Sequence, residues 1–214
     1  ENYYKNDMKS LQANFEKAMK LSVFVSCLFI PLYLVLGEEI GVLVYRDAQS
    51  GIYLSAASFL MLFTGVSSLT TSVLNSMGME KRSLAYFLVG AAIMLACIWF
   101  LPAALGAYAL IAGFAAVFVL TAALNLRLIH KKCRVKANYL KFVLLGILFV
   151  IPTSLAGFML KNLLLGYLGN LFSLLLVGVA MTAFEVLLFA VFGLVDLPPV
   201  KLPRFKKRGK GAAR

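Results

Sequence analysis

Few side chains in this 214-residue chain are of a kind that does chemistry within an apolar medium. Glu185 is the acid set deepest in an apolar stretch. A charge at the middle of a membrane is costly, so such a residue faces a partner or water. Two readings follow: a proton- or cation-coupling site, or a structural carboxyl held protonated or hydrogen-bonded. A second pattern is the series Thr64, Ser68, Thr71, Ser72 and Asn75. At about 3.6 residues per turn these positions share one helical face. That face can line a water-filled cavity contacted by a polar headgroup. Its hydroxyls equally suit close helix packing, because small side chains let backbones approach.

The remaining reactive groups argue against catalysis. His130 is the only histidine and stands among lysines at the end of an apolar stretch, where it reads as interfacial surface. The chain contains no HExxH, no GxSxG, no Walker loop and no GxGxxG followed by an acid. Membrane enzymes of phosphate chemistry need paired acids to hold Mg²⁺, and no such pair falls at a cytoplasmic helix end. Cys27, Cys97 and Cys133 form no CxxC pair, so they suggest neither a metal site nor a disulfide framework. The expectation is a protein that is not an enzyme and uses no cofactor or metal.

The elements that must position these residues are apolar rods. The composition is 62% hydrophobic and 14% charged, against about 25% charged in ordinary soluble domains. Mean hydropathy is +0.90. A globule of this size cannot hide that much apolar surface from water. Crossing hydrocarbon takes about 20 apolar residues in a helix. Six stretches meet this: 21–37, 52–77, 84–101, 104–129, 139–160 and 171–195. The predicted fold is therefore an all-α integral membrane protein with six transmembrane helices. Pro31 and Pro152 fall inside spans one and five, where each removes an i→i−4 hydrogen bond. They are packing kinks or the hinges of a moving transporter. Span four is rich in glycine and alanine for close packing, and Trp99 and Phe100 before it mark an aromatic belt.

Charge sets the orientation. The formal net charge is +12. All basic residues except Arg46 and Lys161 lie in four places: the amino segment, the Lys81–Arg82 turn, the loop from Arg127 to Lys141, and the tail from Lys201 onward. The positive-inside rule then puts both chain ends in the cytoplasm. The basic runs are expected to meet anionic lipid headgroups of the bilayer, above all at the tail, and not nucleic acid. The tail opens with Pro198-Pro199, which ends the last helix, and reads as disordered. The chain begins at Glu1 with no signal peptide, so it reads as the carboxyl part of a longer protein.

Several segments then carry a family likeness. They are the lead Phe15-Glu-Lys-Ala-Met-Lys-Leu21, the loop Gly41-Val-Leu-Val-Tyr-Arg-Asp-Ala-Gln-Ser-Gly51, the span end Thr71-Ser-Val-Leu-Asn-Ser-Met-Gly-Met-Glu-Lys-Arg82 and the closing Asn125-Leu-Arg-Leu-Ile-His-Lys-Lys132. Over about residues 10–132 the chain resembles the carboxyl-terminal part of the stage V sporulation protein B group of polysaccharide-biosynthesis membrane proteins. That group belongs to the multidrug/oligosaccharidyl-lipid/polysaccharide flippase superfamily. The last two spans match by layout.

The resemblance implies a two-lobe flippase-type bundle. Residues 1–20 would be a cytoplasmic amphipathic lead and 21–132 four helices of the second lobe. Residues 133–197 would be two additional carboxyl-terminal helices, and 198–214 a basic cytoplasmic tail. The missing amino-terminal lobe would be the main partner. The implied function is alternating-access flipping of a lipid-linked oligosaccharide or peptidoglycan precursor, in sporulation or cell-wall synthesis at a bacterial plasma membrane. Thr64, Ser68, Thr71 and Asn75 are the candidate cavity residues. The position of Glu185 implies a place in the groove for the lipid tail. The alternatives are a multidrug or small-molecule exporter of the same superfamily, or a non-transport scaffold or enzyme subunit.

Overall fold

The structure is a computed structural model and describes residues 7–133, 139–164 and 170–192. The expected tail, its Pro198-Pro199 stop, and Arg134 and Lys136 of the basic loop lie outside the described residues. Those residues form eight α-helices and no strand: α1 (Met8–Tyr45), α2 (Ala48–Ala57), α3 (Leu60–Ser76), α4 (Glu80–Phe100), α5 (Pro102–Leu105), α6 (Tyr108–Cys133), α7 (Tyr139–Leu164) and α8 (Asn170–Val191). Five are long and apolar enough to cross a membrane, or six if α2 and α3 count as one bent span.

Several helix ends shift by about four residues (α4 starts at Glu80, α6 ends at Cys133 and α7 at Leu164), and three differences change the architecture. First, the lead and span one are a single helix of 38 residues. At about 1.5 Å per residue it is roughly 57 Å long, well beyond a hydrocarbon core of about 30 Å. Asp7 caps it by accepting a hydrogen bond from the Ser10 N–H at 3.1 Å. The polar lead continues into the helix because Phe15 and Met19 turn inward, 4% and 0% exposed. Second, span two breaks into α2 and α3 with a 52° bend at Ser58 and Phe59. Third, span four opens not at Ala104 but at Tyr108, after the single turn of α5 and a Gly106 at φ +55°. That conformation favours a residue without a side chain.

The chain reverses between α1 and α2 on one tight turn. Arg46 ends α1 in the left-handed region at φ 56°. Asp47 then caps α2, accepting from the Ser50 hydroxyl at 2.7 Å and the Ser50 and Gln49 N–H groups at 2.9 and 3.2 Å. The Ser50 hydrogen bonds foremost hold the Asp47 carboxyl below the usual carboxylate range. Helix α2 then lies directly on α1. A Cβ at Gly41 would fall on the Gly51 backbone, and one at Gly51 on the backbone of Glu38. Ser55 fixes the register by donating to the Tyr33 carbonyl at 2.9 Å.

Helix α1 is the hub. It packs against α2, α3, α7 and α8, while α6 packs against α3 and α4. One buried cluster joins Phe15 and Met19 of α1, Leu74 and Met77 at the end of α3, and Ile129 and Cys133 at the end of α6. Lys20 lies over the Phe142 ring near the start of α7, 5.0 Å from its centroid. The basic ends of α1, α4, α6 and α7 therefore meet at one end of the bundle. At the other end Lys161 pairs with Glu39 at 2.5 Å and donates to the Val35 carbonyl at 3.0 Å. Trp99, 82% exposed, extends outward from the last turn of α4.

Candidate functional site

The polar face of α3 opens into a cleft of about 540 Å³ between α3, α4 and α6, at the basic end of the bundle. Ser67, Ser68, Thr71 and Asn75 line it from α3, Ser83 from α4 and Thr121 from α6. Glu80 and Lys81 stand at its rim and Phe87 and Phe118 supply apolar wall. Three of the five α3 residues expected on one polar face, Ser68, Thr71 and Asn75, are thus brought together. The other two are not. Thr64 donates to the Leu60 carbonyl at 2.8 Å, and Ser72 to the Ser68 carbonyl at 2.9 Å, each within its own helix.

Behind the cleft a polar seam joins α3 to α6. Asn125, fully buried, donates through Nδ2 to Thr71 Oγ1 at 3.0 Å and to Thr70 Oγ1 at 3.4 Å. Thr70 spends its own proton on the Val66 carbonyl at 2.8 Å. The Asn125 carbonyl oxygen, the Thr121 hydroxyl and the Ser83 hydroxyl are buried without a protein partner. An unsatisfied buried polar group costs about 1–3 kcal/mol. These three atoms therefore favour water or the hydroxyls of a ligand. Ser83, Thr121 and Asn125 are site residues that inspection of α3 alone misses. The spacing of Thr121 and Asn125, i and i+4 in an apolar helix, is the same signal that marks α3.

The arrangement suits a neutral polyhydroxylated group. Its walls carry hydroxyls and an amide, with one acid and one cation only at the mouth. A few convergent polar groups in an otherwise apolar pocket give orientation and specificity. Among the described residues no three of His, Cys, Asp and Glu come together as metal ligands. His130 lies exposed near the end of α6. Cys27, Cys97 and Cys133 are free thiols.

Glu185 is not part of this cleft. It is fully buried on α8, which packs against α1 and α7. Both of its carboxyl oxygens lack a protein partner. A second cavity, of about 480 Å³, opens at the opposite end of the bundle between α1 and α8, lined by Glu38, Glu39, Arg46 and Leu174 among others.

No family model, no curated protein and no solved structure matches this chain.

Proposed function

We propose that the chain is the carboxyl-terminal part of a flippase that carries a lipid-linked oligosaccharide or peptidoglycan precursor across a bacterial plasma membrane. The observation that carries this reading is the cleft of α3, α4 and α6, lined by Ser, Thr and Asn side chains and backed by the unpartnered Asn125 carbonyl oxygen, inside a lipid-compatible bundle. A sugar headgroup cannot cross hydrocarbon unaided, because unsatisfied polar groups are costly there. A cleft offering hydroxyl and amide partners near the membrane surface lowers that cost. Its position at the basic end suits a substrate that is made in the cytoplasm and enters from that side. The exposed apolar sides of α4 and α8 leave room for the lipid chain in the surrounding bilayer. Transport then proceeds by rocking of packed helices around the site, and no covalent bond is made or broken.

The test is a flipping assay in vesicles containing the whole protein of which this chain is part. Thr71→Val and Asn75→Leu each lower the initial rate about tenfold, equivalent to about 1.4 kcal/mol. Thr64→Val and Ser72→Ala, which alter the same helix outside the cleft, leave it unchanged. Equal rates in all four variants would remove the cleft from the transport path.

A further inference from the structure

The seam of α1, α7 and α8 holds a second polar centre. Phe149 of α7 packs edge-on against Phe189 of α8, with centroids 5.1 Å apart. A Cβ at Gly157 of α7 would meet Met181 of α8. In an antiparallel pair these two contacts bracket one level, where Thr153 stands opposite Glu185. Helix α1 reaches that level too. Phe24 packs on Phe189 at 4.9 Å and Gly178 faces Leu32 and Leu36, so Glu185 falls between these contacts near the level of Cys27, whose own thiol lies against Gly146 of α7. Glu185, Thr153 and Cys27 are all 0% exposed. Ser154, beside Thr153, is also buried and its hydroxyl has no protein partner.

Proline chemistry adds an acceptor at this level. Pro31 lies inside α1 and has no N–H to give the carbonyl of Cys27, four residues earlier. Thr153 donates its proton to the Phe149 carbonyl at 3.0 Å, which turns its oxygen lone pairs outward as acceptors. By helix register, the two Glu185 carboxyl oxygens, the Thr153 and Ser154 hydroxyls and the Cys27 carbonyl belong to one stretch of this seam.

The neighbouring charges do not neutralise it. Lys161 lies about two helical turns along α7 from Thr153 and is committed to Glu39 and the Val35 carbonyl. Lys20 lies toward the other end, over Phe142. From α1 the facing titratable group is the Cys27 thiol, and Met61 and Leu62 of α3 bring only apolar surface to this cluster. A single carboxylate among hard oxygen donors calls for one positive charge.

We propose that Glu185, Thr153, Ser154 and the Cys27 carbonyl bind one dehydrated monovalent cation, with Na⁺ as the probe, and that its occupancy fastens α7 and α8 to α1. Main-chain carbonyls without a helical partner coordinate Na⁺ in the broken helices of membrane transporters, and Pro31 leaves the Cys27 carbonyl without its helical N–H. The site is independent of the flippase reading, since it rests on a different seam and is read by binding.

The experiment is thermal unfolding of the whole chain in detergent, in NaCl against choline chloride at equal ionic strength. The expected result is a saturable rise in Tm of about 5 °C with Na⁺. Glu185→Gln abolishes the rise. Thr153→Val weakens the apparent Na⁺ affinity about tenfold. Pro31→Ala, which returns an N–H to the Cys27 carbonyl, weakens it several-fold without lowering Tm in choline. The last two keep the question decidable if the Gln variant fails to fold. An unchanged Na⁺ response in these variants would overturn the proposal. So would a wild-type Tm that ignores Na⁺ and follows pH through Glu185, which would make the ligand a proton.

Discussion

Asn125 illustrates how one side chain can matter for function more than for folding. Its amide bridges α6 to Thr71, but its carbonyl oxygen has no protein partner. Interhelical hydrogen bonds in membranes contribute about 0.6 kcal/mol on average. Asn125→Leu keeps the volume, removes the orphaned oxygen and leaves Thr70 satisfied by Val66. It should therefore change unfolding free energy by less than about 1 kcal/mol, measured by denaturation in detergent. In the flipping assay the same variant should lose most activity. A large stability loss would instead make Asn125 a structural fastener. The sequence made the α3 half of this site visible, because Ser68, Thr71 and Asn75 interrupt an apolar run at helical spacing. It could not show that Thr64 and Ser72 bond within their own helix, because hydroxyl direction depends on χ1 and on the neighbouring helix.

At the scale of elements, hydropathy located the rods well and their joints poorly. Helices α4, α7 and α8 lie close to their expected places because a long apolar run has few other solutions in hydrocarbon. The break at Ser58 and Phe59 carries neither Gly nor Pro, so nothing local announces it. The continuity of α1 was hidden for a similar reason. Two inward residues, Phe15 and Met19, suffice to extend it, and they stand in a segment that is otherwise polar. The contact of α1 with α2 is the most demanding joint, being backbone against backbone at Gly41 and Gly51. Gly41→Val should cost more than about 2 kcal/mol, because backbone cannot yield as a flexible side chain can. Gly178→Ala, where Leu32 and Leu36 stand 3.6 and 3.8 Å from the added carbon, should be nearly neutral. Paired denaturation curves check both, and equal losses would refute the close approach.

For the whole molecule, the grouping of the basic helix ends is the feature with the widest reach. Among the described residues the grouping covers the lysines and arginines of α1, α4, α6 and the start of α7, and it gives a sidedness prediction. Single cysteines replacing Lys81 and Lys132, in a background without the native thiols, should react with an impermeant reagent from one face of sealed vesicles. A cysteine replacing Arg46 should react only from the other. Labelling of Lys81→Cys and Lys132→Cys from opposite faces would break both the topology and the flippase proposal. What single-sequence patterning could not supply is which helices meet, since nearly every apolar face is compatible with every other. The hub role of α1 and the remoteness of Glu185 from the cleft emerge only in three dimensions.

The length of α1 has a mechanical corollary. Its first turns support the back of α3, whose other face forms the cleft wall, and its middle closes the seam around Glu185. A stiff axle held at two bearings cannot shift in one without loading the other. The two compartments share a single shaft, so a movement of α1 at one of them has a direct route to the other.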